Sequence, residues 1–295
     1  MDDRGNGLPP LTHDLGDLHL HSTASDGTLA PAEVVRHAHG VGLAVIALTD
    51  HDTVAGLPEA RAAAEPLGLR VLTGCEFSVA VSWGEAHLLG YQVREDHPAL
   101  GRFLSEMQAR RTERGLAMVA AIVACGVKIE FADVEAIAAG APIGRPHVAR
   151  ALIAAKVCRT FDQAFDRFLG RGRPAYMEKR LPSVEEVTNL VRSAGGVTSM
   201  AHLKDRATKA HLTTFQAQGV DGVEVFHPSH SGPVRTGIER LARELGMLPT
   251  GGSDSHGEAA VSPSHSVIGG VRIPMDWVAA IVSIAASRSA DPVDG

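Results

Sequence analysis

Apolar residues along this chain follow two patterns: short runs of strand length, and longer stretches in which they recur every three or four positions. The first run is Asp17-Leu18-His19-Leu20-His21-Ser22, where Leu18 and Leu20 share one face of a strand and His19 and His21 the other. Pro31 then stands at the first position of a helix whose Val34, Val35, Ala38 and Val41 repeat at helical spacing, and Gly40 and Gly42 end it. Leu43 to Thr49 reads as a buried strand. Val54 to Leu67 reads as a second helix stopped at Gly68, and Arg70 to Thr73 as a third strand ending on Gly74-Cys75-Glu76. Strand, helix, strand, helix, strand predicts a parallel β/α arrangement.

The pattern then changes. Phe77 to Val81, the turn-like Trp83-Gly84-Glu85 and His87 to Tyr91 leave no room for a crossover helix, which predicts a hairpin. From about His97 to Leu181 only helices are predicted: Leu100 to Ala124, Asp133 to Ala139, Pro146 to Lys156 and Phe161 to Leu169. Ser183-Val184-Glu185-Glu186 has capping-box spacing and opens a helix to Ala194. Strands resume at Gly196 to Ala201, Asp221 to Phe226 and Met247 to Thr250, and Ser266 to Ile273 leads into a last helix near Pro274. The expected organisation is one irregular α/β barrel built from residues 13–96 and 182–287, with 97–181 as a helical insertion able to cover a site. Residues 1–12 and 288–295 are expected to be disordered, and order to begin near Asp14.

Composition narrows the class. With 295 residues, 44% of them apolar, the chain has enough material for one barrel-sized core. A net charge of −6, with no Lys/Arg-dense block, gives no footprint for duplex nucleic acid but leaves a small phosphorylated ligand open. Cys75, Cys125 and Cys158 are widely spaced, which argues against a thiolate metal site and predicts small buried thiols. No 18-residue apolar stretch or charged-then-apolar leader is present, so no membrane association and a cytoplasmic location are expected.

The chemistry sits at the ends of the predicted strands. His19 and His21 end the first, His51 follows the second within Asp50-His51-Asp52, Glu76 ends the third, His87 lies on the hairpin, His202 ends the strand after the insertion, and Asp254-Ser255-His256 follows the last core strand. Asp26 hangs in the loop above strand one. Nine imidazoles and carboxylates without a thiolate form a ligand set for Mn²⁺, Zn²⁺ or Fe²⁺, and exceed what one ion uses, so two or three divalent ions are implied, Mn²⁺ being favoured. Glu76 is the natural bridge between two ions about 3.5 to 4 Å apart that would activate a hydroxide. Pro146 at a helix start aims Arg145 and free amide groups at an anion, with phosphate the obvious guest. His147, in the first turn of that helix, is a candidate to bind or protonate the phosphate; His230 follows a strand end and is a candidate to protonate the leaving group. Asp50 and Asp52 could orient ligands from behind. His227, Lys179 with Arg180, and the Arg110, Arg111, Arg114 set read as structural or solvated.

These motifs resemble the polymerase-and-histidinol-phosphatase (PHP) superfamily: Asp17-Leu18-His19-Leu20-His21-Ser22, Thr49-Asp50-His51-Asp52, Gly74-Cys75-Glu76-Phe77-Ser78, His87-Leu88-Leu89-Gly90 and Ser253-Asp254-Ser255-His256. The resemblance implies a distorted seven-stranded (β/α) barrel. It also implies that His19, His21, Glu76 and Asp254 hold one ion, Glu76, His87 and His202 a second, and Asp26, His51 and His256 a third. Asp26, the helical insertion and Gly144-Arg145-Pro146-His147 resemble the subgroup that hydrolyses nucleoside 3′,5′-bisphosphates and the 5′ ends of short RNAs. His230 resembles a position of that subgroup near the substrate. Leu203 departs from the pattern, where Pro is common. The expected activity is metal-dependent hydrolysis of a phosphate monoester of a small nucleotide. The alternatives are a histidinol-phosphate phosphatase, a sugar cyclic-phosphate phosphodiesterase, an amidohydrolase-type deaminase, which lacks equivalents of Glu76 and of the His51-Asp52 pair, and a non-catalytic PHP module. Oligomeric state is left open.

Overall fold

A computed structural model describes residues 15–257 and 266–290. The expectations for residues 1–14 and 291–295 lie outside these described residues, as do residues 258–265 of the predicted barrel.

β1 (Leu15–Leu20), α1 (Pro31–Gly40), β2 (Val45–Leu48), α2 (Leu57–Ala64) and β3 (Arg70–Val81) form two right-through β/α units with parallel pairing of β1 to β2 and β2 to β3. β3 then turns at Ser82-Trp83 into β4 (Gly84–Tyr91), antiparallel to it with Val81 opposite Gly84. The expected third strand and the first arm of the hairpin are thus one strand. Its first part bonds β2 and its second part bonds β4, so no break is needed at Gly74. Helices α3 (Pro98–Ala124), α4 (Phe131–Ala138), α5 (Arg145–Ala154) and α6 (Phe161–Ala164) follow, the last continuing into a π-type turn over Phe165–Leu169. α7 (Val184–Ser193) starts on Ser183, whose Oγ accepts from the Glu186 amide at 3.1 Å. β5 (Val197–Met200), α8 (Lys209–Ala217), β6 (Gly222–Phe226), α9 (Gly232–Leu245) and β7 (Leu248–Gly251) restore parallel pairing, and β8 (Ile273–Pro274) precedes α10 (Met275–Ala290).

Among the described residues the sheet has eight strands in the order β7-β6-β5-β4-β3-β2-β1-β8, against an expected seven. The extra strand is the two-residue β8, which pairs antiparallel with the start of β1 and is too short to leave a periodic signal. The chain beyond β7 lies against β1 and nearly closes the barrel: Leu20 bridges Ser255, and the His21 amide donates to Ser255 O at 2.9 Å. Buried Asp17 ties the closure by accepting from the amides of Ser253 (2.9 Å) and Gly269 (3.0 Å). Gly252 is required there, since a Cβ would come 2.4 Å from the His19 backbone nitrogen.

Three apolar clusters stabilise the barrel. Leu20, Ile46 and Leu48 pack under Val34, Val35 and Leu57; Leu18, Val45 and Tyr91 pack with Val278 and Ile281 of α10; Phe77, Leu88 and Val223 pack with Val187, Val191 and Leu212. Each such side chain contributes roughly 1.5–3 kcal/mol by leaving water. The helices between β4 and α7 have their own cluster, which includes Ile122, Val134, Val148, Leu152 and Leu169. Cys75 and Cys158 are buried as expected, whereas Cys125 at the end of α3 is exposed. The expectation of a disordered end from residue 288 fails for 288–290: α10 runs on, and the Arg288 guanidinium clasps Asp221 (2.6 and 2.9 Å) and Gly196 O (2.6 Å).

Candidate metal centre

Strand alternation puts His19 and His21 on one face at the end of β1, both buried, with ring centroids 5.2 Å apart. Glu76 reaches them from the middle of β3. Its Oε2 lies 3.3 Å from His19 Nε2, 3.2 Å from His21 Nε2 and 3.2 Å from His51 Nδ1. Its Oε1 faces the other way, 2.9 Å from His87 Nδ1 and 3.1 Å from His202 Nε2. Asp254 Oδ1 closes the first group at 3.4 Å from His19 Nε2 and 3.2 Å from His21 Nε2. On the outer side His256 stacks on His21 with centroids 4.2 Å apart and points Nε2 at Asp26 Oδ1, 3.3 Å away. All nine predicted ligand residues therefore converge on one place.

Convergence has a backbone cost. Asp52, His202 and Asp254 hold φ of 51°, 32° and 50°, in the left-handed region that side chains seldom adopt. The loop after β1 is shaped by Asp50, which accepts from the Ser22 amide at 2.8 Å and from the hydroxyls of Ser22 and Ser25. Asp50 thereby braces the loop that leads to Asp26 and contacts the serines of that loop, not a histidine of the cluster.

The electrostatics fit bound cations. His19 Nε2, His21 Nε2, His51 Nδ1, His87 Nδ1 and Asp26 Oδ1 are buried without a well-directed hydrogen bond, although opposite charges crowd them. Burial opposes the charge on His19 and His21, yet Asp254 and Glu76 outweigh it; His19 is held well above its ordinary pKa and His21 is raised to about 10. His87 rises to about 9, Glu76 and Glu85 overcoming its burial. Glu76, Asp254 and Asp26 are held well below the carboxylate range, their burial offset by the surrounding imidazoles. His51 is the exception: burial, with His21 and His87 beside it, holds its pKa well below the ordinary value against the pull of Glu76 and Asp26. Among the described residues four groupings bring potential ligand atoms within 4.8 Å of one another: His19, His21, Glu76, Asp254; His21, Asp26, His51, His256; His51, Glu76, His87; and His19, Glu224, His227.

The last grouping contains what the sequence reading missed. Glu224, fully buried on β6, places Oε1 3.0 Å from His19 Nδ1 and accepts from the His202 amide at 2.7 Å through Oε2. The signal was a lone carboxylate inside the apolar run Val223-Glu224-Val225. His227, expected to be structural or solvent-facing, is buried with Nε2 3.3 Å from Asp254 Oδ2 and lines the cavity.

A cavity of about 650 Å³ opens over the cluster, lined on one wall by Arg111, Arg114, Arg145 and Lys179 and on another by Lys204 and Arg206. Arg145 lies where α5 begins, its guanidinium 5.5 Å from the Phe165 ring centroid. The reading of Arg111 and Arg114 as a wet helix face is corrected: both are largely buried, because α3 lies across the barrel mouth, and Arg111 donates to Asp52 Oδ2 from Nε at 2.8 Å. Asp52 accordingly serves Arg111, not a histidine. Lys179 is likewise no solvated charge; it pairs with Glu85 and lies 3.3 Å from Ser78 Oγ. His147 and His230 do not present a ring nitrogen to the cavity. His147 Nδ1 accepts from the Gly144 amide at 3.0 Å and its Nε2 reaches Ser25 O at 3.0 Å; His230 Nδ1 reaches Val225 O at 3.0 Å and its Nε2 accepts from the Lys204 amide at 3.2 Å. Burial lowers the pKa of both, in keeping with these neutral, fully bonded rings.

Comparison with known proteins agrees with this geometry. The family model described as PHP domain matches residues 17–168. A 5′-3′ exoribonuclease of Haemophilus influenzae is 32% identical over 245 residues, covering 81% of this chain and 89% of the relative. A 3′,5′-nucleoside bisphosphate phosphatase of Chromobacterium violaceum is 34% identical over 265 residues, covering 85% and 90%. Among solved structures, a Bifidobacterium adolescentis protein classed as a metal-dependent phosphoesterase superposes with a TM-score of 0.83 at 32% identity, covering 91% of this chain and 96% of the other.

Proposed function

This chain belongs to the PHP domain family, and on that premise we propose that it is a metal-dependent phosphoesterase. Its substrate in this reading is a small nucleotide carrying a phosphate monoester, such as a nucleoside 3′,5′-bisphosphate or the 5′ end of a short RNA. The observation that carries the reading is the division of Glu76: one oxygen faces His19, His21 and His51, the other His87 and His202. One carboxylate with imidazoles gathered at each of its two oxygens would be able to hold two cations. His19, His21, Glu76 and Asp254 would hold the first ion, Glu76, His87 and His202 the second, and Asp26, His51 and His256 a third; Mn²⁺ suits the mixed imidazole and carboxylate set, with Zn²⁺ and Fe²⁺ as alternatives. Ions there supply Lewis acidity, lowering the pKa of water from about 15.7 toward about 7 and offsetting phosphoryl charge.

The chain's own residues do the rest. Arg145 lines the cavity from the start of α5, where its guanidinium would favour an anion. Lys204 and Arg206 face it from the barrel side. His230 holds the Lys204 amide and with it the turn that carries His202, while His147 braces the loop of Ser25 and Asp26. Both are positioning residues in this reading, in place of the proton donors expected. The helical stretch 97–181 acts as the cover of the site. Among the described residues no helix is long and apolar enough to cross a membrane, and a cytoplasmic nucleotide substrate is consistent with that.

The names of the two relatives share a phosphate ester on a nucleotide. A phosphate-release panel with Mn²⁺ tests the substrate: adenosine 3′,5′-bisphosphate is expected to exceed histidinol phosphate and cyclic sugar phosphates, and a strong preference for histidinol phosphate would sink the assignment.

A further inference from the structure

The cavity has two unlike walls. Arg111, Arg114, Arg145 and Lys179 load one with positive charge, whereas the wall made by the β3–β4 turn and the segment after β5 presents Trp83, Ala86 and Leu203 beside Arg206. Trp83 is a fixed surface: it packs against the apolar cluster that holds Phe77 and Leu212, with the Phe215 ring edge-on at 6.1 Å and the His211 ring at 4.6 Å. The Arg206 guanidinium lies over the indole, its Cζ 5.1 Å from the ring centroid. Among the described residues this guanidinium makes no ion pair and no hydrogen bond, and the residue is exposed where it lines the cavity. Its main chain is held instead. The Arg206 carbonyl accepts from His211 Nδ1 at 2.7 Å, and the His211 amide donates to Thr208 Oγ1 at 3.2 Å.

A guanidinium held over an aromatic ring, with no carboxylate on it, keeps its outer face open to a second planar group. A phosphate gains nothing from the apolar surface of Trp83, Ala86 and Leu203, whereas a nucleobase uses both the stack and that surface. We propose that Arg206, backed by Trp83, is the stacking platform for the nucleobase of the substrate. The pair is then what makes the site prefer a nucleotide over other phosphate esters. The inference rests on the phosphoesterase reading and deepens it: the phosphate lies toward the histidine and carboxylate cluster and the cationic wall, the base on Arg206.

The test compares adenosine 3′,5′-bisphosphate with its abasic analogue, the same sugar bisphosphate with hydrogen in place of adenine, on the full chain loaded with Mn²⁺. The wild type is expected to favour the nucleotide in kcat/KM by about tenfold or more, the worth of one stacked base. Arg206→Lys keeps the charge and loses the planar face; Trp83→Leu keeps an apolar side chain and loses the ring. Each is expected to remove most of that preference. A wild type without the preference overturns the proposal, as do variants that lose activity equally on both substrates, which would make Arg206 a phosphate ligand or a structural residue. A second readout does not depend on turnover. In calorimetric titrations of chelator-stripped protein, adenosine 5′-monophosphate is expected to bind about tenfold more tightly than ribose 5-phosphate, an advantage that Arg206→Lys loses. Equal affinity for the two, or binding of neither, overturns the proposal. A wild type that discriminates in the titration yet hydrolyses no phosphoester counts against the phosphoesterase reading and leaves the platform standing.

Discussion

Glu85 Oε1 lies 3.2 Å from Nε2 of His87, whose other ring nitrogen faces Glu76 at 2.9 Å. A carboxylate behind an imidazole fixes the ring's tautomer and raises its basicity as a ligand. Glu85→Ala is therefore expected to weaken binding of one ion by about 10- to 100-fold while the full complement is reached at high metal concentration. Metal titration of chelated protein measures this. Unchanged affinity would reduce Glu85 to a counter-ion for Lys179.

Lys179 gives a pH signature. Burial, reinforced by Arg111 and Arg114 and opposed by Glu85, lowers its pKa from 10.5 to about 8. A lysine whose folded pKa lies below its unfolded one binds fewer protons when folded between those values, so its contribution to stability rises with pH from about 8 to 10.5. Relative to Lys179→Met, the wild type should gain stability across that window, at most about 1.4 kcal/mol per pH unit. Urea unfolding of both proteins at pH 7.5, 9 and 10 checks the sign, and a difference that stays flat contradicts it.

Glu224→Gln leaves the shape of the site and removes a charge that touches both His19 and the His202 amide. The loss should appear chiefly as weaker metal binding, about tenfold or more, with a smaller change in thermal stability. A variant that binds metal normally would show that Glu224 serves only the fold.

Arg288→Ala should cost about 2 kcal/mol, since its hydrogen bonds to Asp221 and Gly196 tie α10 to β5 and the start of β6. Denaturant unfolding measures this, and phosphate release at 25 °C should be preserved because Arg288 lies away from the cavity lining.

Legibility in the sequence followed chain locality. The parallel units of β1 to β3 and the hairpin of β3 and β4 were readable because each depends on a local run and a local turn, as at Trp83-Gly84. Most of the nine residues expected as ligands were readable because they end or follow a strand, where barrel geometry collects side chains, whereas Glu76 and His87 lie within β3 and β4 and Asp26 in a loop. β8 was not readable: it is two residues long and exists only through its partner β1. Arg111, Arg114 and Lys179 were misread because nothing in a helical run says that α3 lies across a barrel mouth. His147 and His230 carried plausible chemistry in sequence, but their partners are main-chain atoms up to 122 residues away, which no spacing reveals. Asp17 and Arg288 were hidden for the same reason.

The most direct test of Glu76 as the shared carboxylate counts ions and phosphate release on the same preparation. Metal-loaded wild type is predicted to hold two or three ions per chain and to release phosphate from adenosine 3′,5′-bisphosphate, while Glu76→Ala loses more than one ion and turnover together. A wild type that binds one ion or none, or a Glu76→Ala variant that keeps its metal and its activity, would contradict the account.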